Sequence, residues 1–375
     1  MTGDDGRLRP ATSLESVAVV GTGLIGTSVA LALTALGVPV FLSDADPEQA
    51  RVAASLGAGH LGPPPRPCEV AVLAVPPAHI AVAYEQAKRS RLALTFTDVA
   101  SVKSNVLLEV QSCSPRDVED FVGGHPMAGR ERSGPRAARA DLFLGRPWVL
   151  TPSAATSPRT LAAVRGLVRA CGAVPVEMPA PAHDQAVALV SHAPQVLASL
   201  MAARLAGADE PVLGLSGQGV RDVTRLAASD PQLWRDILTT NADAVAAVLR
   251  EIRADLDTVL DALDPAGGSS DRALVALLEQ GNRGRRRIPG KHGSAPALYA
   301  FLPVVVTDRP RELARLLADA ADSGVNVEDV RIEHAQGQPL GLVELAVLPD
   351  AAPQLSQELV RRGWSVQEPD PLQPD

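Results

Sequence analysis

Residues 16–44 read SVAVVGTGLIGTSVALALTALGVPVFLSD. The first five form an apolar, β-branched run of the kind that a parallel strand buried on both faces requires. Glycines stand at 21, 23 and 26, an alanine- and leucine-rich segment follows with the character of a buried helix, and VPVFLSD reads as a second strand ending in Asp44. A lone G-x-G-x-x-G is a weak signal, because glycine-rich turns are common. In the order strand, glycines, helix, strand, acid it predicts a dinucleotide-binding βαβ unit. Gly21 permits the tight turn, Gly23 lets the backbone approach a pyrophosphate, and Gly26 lets helix and strand pack closely. Leu24 and Ile25 sit where the helix opens, and the unpaired N–H groups of that first turn attract phosphate. Asp44, 18 residues after Gly26, is placed to accept from ribose hydroxyls. The next residues, Ala45, Asp46 and Pro47, offer no cation for a 2′-phosphate, so the expected cofactor is NAD.

The same stretch carries no charge from Ser16 to Ser43, long enough by count to suggest a membrane span. Its glycines and Pro39 break it into pieces of strand and helix length. The N-terminus MTGDDGRLRP has acids where an export signal needs a basic region, and the expectation is a soluble, cytoplasmic protein that does not enter a membrane. Lys and Arg number 35 against 43 Asp and Glu, a net charge of -8, which gives no global attraction for nucleic acid. Cys68, Cys113 and Cys171 lie far apart in no metal-ligand spacing, so neither disulfide nor metal is expected.

Successive strand-like runs place chemistry at their ends. EVAVLAVPP (69–77) brings Val75 and Pro76 to the carboxyl edge of the sheet, on the cofactor's side, where ligands bind in open α/β folds. TFTDVA leads through Asp98 to Ser101, and DFVGGHPMAG ends on His125. A neutral imidazole there, with an ordinary pKa of about 6.5, accepts a proton near neutral pH. Ser101 also reads as a helix N-cap before VKSNVLLEV.

Taken together, GTGLIG, TDVASVKSNV, GGHPMAGRERSG, HDQAVALVSHAPQ and GVRDVTRLAASDPQLWRDI resemble the prephenate dehydrogenase family, over about residues 16–289. The resemblance implies NAD-dependent oxidative decarboxylation of prephenate, with arogenate as the alternative substrate. It implies that His125 takes the substrate hydroxyl proton, that Ser101 hydrogen-bonds and aligns the histidine, and that Arg225 holds the ring carboxylate. It further implies that Trp234 reaches the site from the partner subunit of a homodimer. Asp184 and Gln195 are read as substrate contacts on one face of an apolar helix that Pro194 should kink. His192 lies on an adjoining stripe, open to a core role or to indirect support of the site. Arg221 and Arg225, four apart and like-charged, would point the same way on one helix and suit an anionic substrate. Two positions depart from the family: Gln195 replaces a second histidine found in many members, and Arg221 replaces a lysine found in several. A noncatalytic NAD-sensing protein would keep GTGLIG and Asp44 without needing His125, Ser101 and Arg225 together.

The expected organisation is α/β: a Rossmann-like dinucleotide-binding domain over 14–176, then an all-helical dimerisation domain over 177–282. A linker, 283–296, is basic but has no aromatic residue on which a base could stack. From 297 to 370 the order is strand, helix, strand, strand, helix, strand. This small α+β module resembles an ACT-like domain, which implies tyrosine as a feedback ligand, although Arg311 stands where many ligand-binding members have glycine.

Overall fold

The computed structural model describes residues 14–114, 118–129, 134–264, 271–288, 298–334, 339–368 and 370–374. Two compact bodies emerge. One holds the described residues up to Arg204 together with Val223–Glu251, and the other holds Leu205–Asp222 together with the described residues from Ile252 onward.

The first body is built on eight strands: β1 (Val17–Val20), β2 (Val40–Ser43), β3 (His60–Leu61), β4 (Cys68–Leu73), β5 (Ala93–Asp98), β6 (Phe121–Pro126), β7 (Pro147–Thr151) and β8 (Val174–Glu177). They lie in the order β3-β2-β1-β4-β5-β6-β7-β8. The first six are mutually parallel, β7 runs antiparallel to β6, and β8 is parallel to β7. The doubly wound dinucleotide fold read from the glycines is therefore present. Alternation along β1 explains its continuous apolar run: Val17 and Val19 enter one apolar layer and Ala18 the opposite one. The first layer includes Leu33, Trp148 and Leu167, and the second is centred on Tyr84, whose ring meets Phe96 and Phe121 edge-on at 5.1 and 5.5 Å. Both faces being covered, the polar chemistry is driven to the strand ends. Chain order reverses between β1 and β4, and the crevice beyond their carboxyl ends is where such sheets bind ligands.

After β8 the chain turns helical. Ala180–Val187 continues through a single π-helical stretch, Ala188–His192, into Ala193–Leu205. Pro194 cannot donate a backbone hydrogen bond and its ring crowds the preceding turn, so the expected kink takes the form of a widened turn. This run is long and apolar enough to cross a bilayer by length and composition. His183, Asp184, His192 and Gln195 are nevertheless buried along it, and their partners, described below, belong to the same body. The helical segment over 177–282 contributes to both bodies. Its long helix Ala242–Leu263 buries only Val245 and leaves Leu256, Leu260 and Leu263 exposed, too little to form a core alone.

In the second body β9 (Leu298–Thr307), β10 (Asp329–His334), β11 (Leu340–Val347) and β12 (Ser365–Val366) form an antiparallel sheet in the order β10-β11-β9-β12, with β13 (Asp370–Pro374) also paired to β9. Helices Glu312–Asp322 and Ala352–Arg361 supply Leu316, Ala320, Leu355 and Leu359 to a core with Leu302, Val304 and Leu345. The βαββαβ order is as expected.

Candidate active site

The glycine turn is shaped by close approach. Gly21 has φ +96°, and a Cβ there would stand 2.3 Å from the Ala74 carbonyl oxygen, while one at Gly26 would stand 2.0 Å from the Gly21 oxygen. Gly23 differs: nothing lies within 4 Å of its Cβ position. The backbone is bare there, as a pyrophosphate requires. Leu24 and Ile25 begin the helix Leu24–Thr34, and Val75 and Pro76 follow β4, with the Val75 side chain beside Gly21. Asp44 clasps the turn, accepting from the Thr22 amide and hydroxyl at 2.5 and 2.8 Å and from the Asp46 amide at 2.9 Å. Arg51, the basic residue of the next helix, is paired with Glu48. These residues fit an adenosine ribose with free hydroxyls and offer no unpaired cation to a 2′-phosphate.

At the end of β6, the two glycines before His125 exist because the neighbouring strands leave no room. A Cβ at Gly123 would meet the Thr151 hydroxyl at 2.5 Å, and one at Gly124 the Asp98 carbonyl oxygen at 2.6 Å. Beneath them lies a buried ion pair, Lys103 with Asp98, in which Lys103 Nζ also donates to the Gly124 carbonyl at 2.6 Å and Asp98 Oδ1 accepts from the Ala100 amide at 2.7 Å. Burial raises the Asp98 pKa and lowers that of Lys103, and their mutual attraction opposes both shifts.

His125 Nδ1 lies 2.9 Å from His183 Nε2, the rings meeting edge to face, and His183 Nδ1 lies 2.8 Å from Asp184 Oδ1. Burial pushes the His125 pKa well below its ordinary value, assisted by His183, Lys103 and His192 and opposed by Asp184. Two expectations about Ser101 are corrected here. The partner of His125 is His183, and Ser101, half-buried in the turn after β5, makes no hydrogen bond to it among the described residues. Ser101 is not the N-cap either, because helix Ser104–Cys113 starts three residues later. Asp184 accepts from the Lys103 and Ser104 amides, both at 2.8 Å, and so caps that helix from another element. Burial would raise its pKa, but the hydrogen bonds from His183 and Ser104 prevail and hold it at about 2.

Farther along, burial lowers the His192 pKa to about 4 against the pull of Asp184. Asn241 Nδ2 donates to His192 Nδ1 at 3.1 Å and to the Asp184 carbonyl at 2.9 Å. Trp234 packs edge-on to His192 of its own chain, ring centroids 6.0 Å apart. Gln195 is buried and donates to Ser229 Oγ at 2.7 Å, tying down the segment that follows Arg225. The expectation of Arg221 and Arg225 on one helix is corrected: Gln218–Thr224 is helical, and Arg225 begins a tighter 3-10 turn. Both arginines are exposed. His183, Lys103, Asn241 and Ser229 went unread in the sequence. The histidine-aspartate dipeptide at 183–184 and a lysine five residues after a strand-end aspartate were the available signals.

Known proteins place this arrangement. A family model described as "Prephenate dehydrogenase, nucleotide-binding domain" matches residues 29–177, and one described as "Prephenate dehydrogenase, dimerization domain" matches residues 179–280. A Streptomyces niveus protein named "Probable prephenate dehydrogenase NovF" is 38% identical over 359 residues, 94% of this chain and 99% of that protein. The crystal structure of prephenate dehydrogenase from A. aeolicus with hydroxyphenyl propionate and NAD+ is 26% identical, covers 74% of this chain and 99% of its own, and superposes with a TM-score of 0.65. Synechocystis arogenate dehydrogenase is 28% identical over 72% of this chain and 98% of its own, with a TM-score of 0.61. With a glycine turn suited to NAD, a neutral histidine at the end of β6 and these likenesses over both halves of the matched region, the chain belongs to the prephenate dehydrogenase family.

Proposed function

We propose that this NAD-dependent oxidoreductase catalyses the oxidative decarboxylation of prephenate to 4-hydroxyphenylpyruvate, with His125 as general base. The observation that carries the reading is the placement of His125: it ends β6 on the same sheet edge as the Gly21–Gly26 turn, with Nδ1 engaged and Nε2 without a partner among the described residues. Its Nε2 takes the proton of the C4 hydroxyl as the C4–H bond breaks. NAD, when bound, supplies the hydride acceptor. Loss of the ring carboxylate as carbon dioxide returns its electron pair to the ring, which becomes aromatic, and the proton held by His125 returns to the phenolic oxygen. Arg225 is assigned to the ring carboxylate by its fork of donors. Exposed Leu256, Leu260 and Leu263 on the matched dimerization domain support a homodimer. The βαββαβ module is proposed as an ACT-like regulatory domain that binds tyrosine, a reading supported by its strand order; calorimetry of the intact protein with tyrosine tests it, and absence of heat would leave the module as an assembly element.

The test of the base is His125→Asn, which should bind NAD normally yet lose about 10²–10⁴-fold in kcat. In the parent protein kcat/KM should fall in acid only well below pH 6.5, since the base works unprotonated and burial has lowered its pKa. Turnover near the parent's in His125→Asn would remove His125 from the mechanism.

A further inference from the structure

We propose that Asp184 and His183 are positioning residues that fix the tautomer of His125, holding its proton on Nδ1 and leaving Nε2 as the bare acceptor that meets the substrate hydroxyl. The inference rests on His125 being the base. Its logic is a count of protons. Asp184 accepts from two backbone amides at the start of helix Ser104–Cys113, so its carboxylate is committed as an acceptor. The His183 Nδ1 that faces it at 2.8 Å must therefore donate. A neutral imidazole carries one N–H, so Nε2 of His183 is an acceptor. The 2.9 Å contact from that Nε2 to His125 Nδ1 is then a hydrogen bond only if His125 donates.

When Nε2 of His125 takes the substrate proton, the new imidazolium keeps its Nδ1–H on His183, whose own N–H rests on the Asp184 carboxylate. This repeats the logic of the serine protease triad with a histidine inserted between carboxylate and base. The ionisable groups around His125 are His183 and Asp184 from the helix, Lys103 with its partner Asp98 from beneath the strand ends, and His192 beyond the π-helical turn. Beside burial, His183, Lys103 and His192 disfavour charge on His125 at rest, and Asp184 is the group that favours it.

Nitrogen-15 NMR of the full-length, histidine-labelled, NAD-loaded protein, with the His125 signals assigned through His125→Asn, reads the tautomer directly. A pyrrole-type Nδ1 and pyridine-type Nε2 are expected; the reverse pattern overturns the proposal. Glutamine at 183 can accept from His125 through its oxygen and donate to Asp184 through its nitrogen, whereas phenylalanine can do neither. His183→Gln should keep kcat within about tenfold, and His183→Phe should lose about 10²–10³-fold in kcat with KM and NAD affinity within a few-fold. Asp184→Asn should move the acid limb of kcat/KM to lower pH. Parent-like kcat and pH profile in His183→Phe would sink the relay while leaving the base intact, and full turnover in His125→Asn would sink the base itself. Should the phenylalanine variant fail to bind NAD, the spectrum of the parent protein and the glutamine variant still decide.

Discussion

The surroundings of His125 and the stretch carrying Arg221 and Arg225 solve opposite electrostatic problems. Around His125 the chain supplies its own partners: His183 and Asp184 on one side, the Lys103–Asp98 pair beneath. The two arginines lie exposed, with no ion pair among the described residues. A general base has to be neutral, desolvated and aimed before substrate arrives, and only buried partners hold an imidazole so. An arginine proposed to hold an anion would have to break any carboxylate pair on binding, so exposure suits the role proposed for Arg225.

The comparison breaks most visibly at Lys103. Lys103→Met leaves the Asp98 carboxylate buried without its cation and should cost about 3–5 kcal/mol in denaturant unfolding, most of it recovered in Asp98→Asn with Lys103→Met. A single variant as stable as the parent would mean that the pair does not support the strand ends. Arg225→Ala tests the other region: kcat/KM should fall by roughly 2–5 kcal/mol equivalents with unfolding and NAD affinity unchanged, since Arg225 is exposed and makes no ion pair among the described residues. An equal loss of NAD affinity would instead signal a folding defect.

Smaller effects sharpen the boundary between the two regions. Gln195 joins them by holding Ser229. In Gln195→His the ratio of kcat/KM for prephenate over arogenate should shift by about 1–3 kcal/mol equivalents, because one polar contact at a buried position is exchanged for another. An unchanged ratio would confine Gln195 to anchoring the Arg225 turn. The smallest effect is expected far from the chemistry, at Arg311, which caps helix Glu312–Asp322 in the left-handed region at φ 79°. The position keeps the backbone a glycine would adopt while bearing a side chain. Arg311→Gly should relieve about 1–2 kcal/mol of strain, less the extra freedom gained by the unfolded chain, for a net stabilisation of roughly 0.5–1 kcal/mol. No rise in the melting temperature of the module would show that the loop relaxes around the arginine.

Much of the fold was legible because its signals are local. A strand buried on both faces, three glycines and an acid at the right interval are read within one βαβ unit, and the order of elements announces the C-terminal sandwich. His125 was legible for the same reason, since it ends a recognisable strand. What surrounds it was not. His183 lies 58 residues away and Asp184 caps a helix start 81 residues before it, distances that no periodicity spans. Counting 3.6 residues per turn also fails across Ala188–His192, where the π-helical turn shifts the buried face. By itself the sequence determined which elements form and which residues stand at the strand ends, because propensity and burial period act on neighbours along the chain. Only the tertiary structure decided that His125 leans on His183 instead of Ser101 and that Asp184 caps the start of helix Ser104–Cys113. In a buried site, hydrogen bonds are chosen by what packing brings within reach and by the cost of leaving a polar group unpaired.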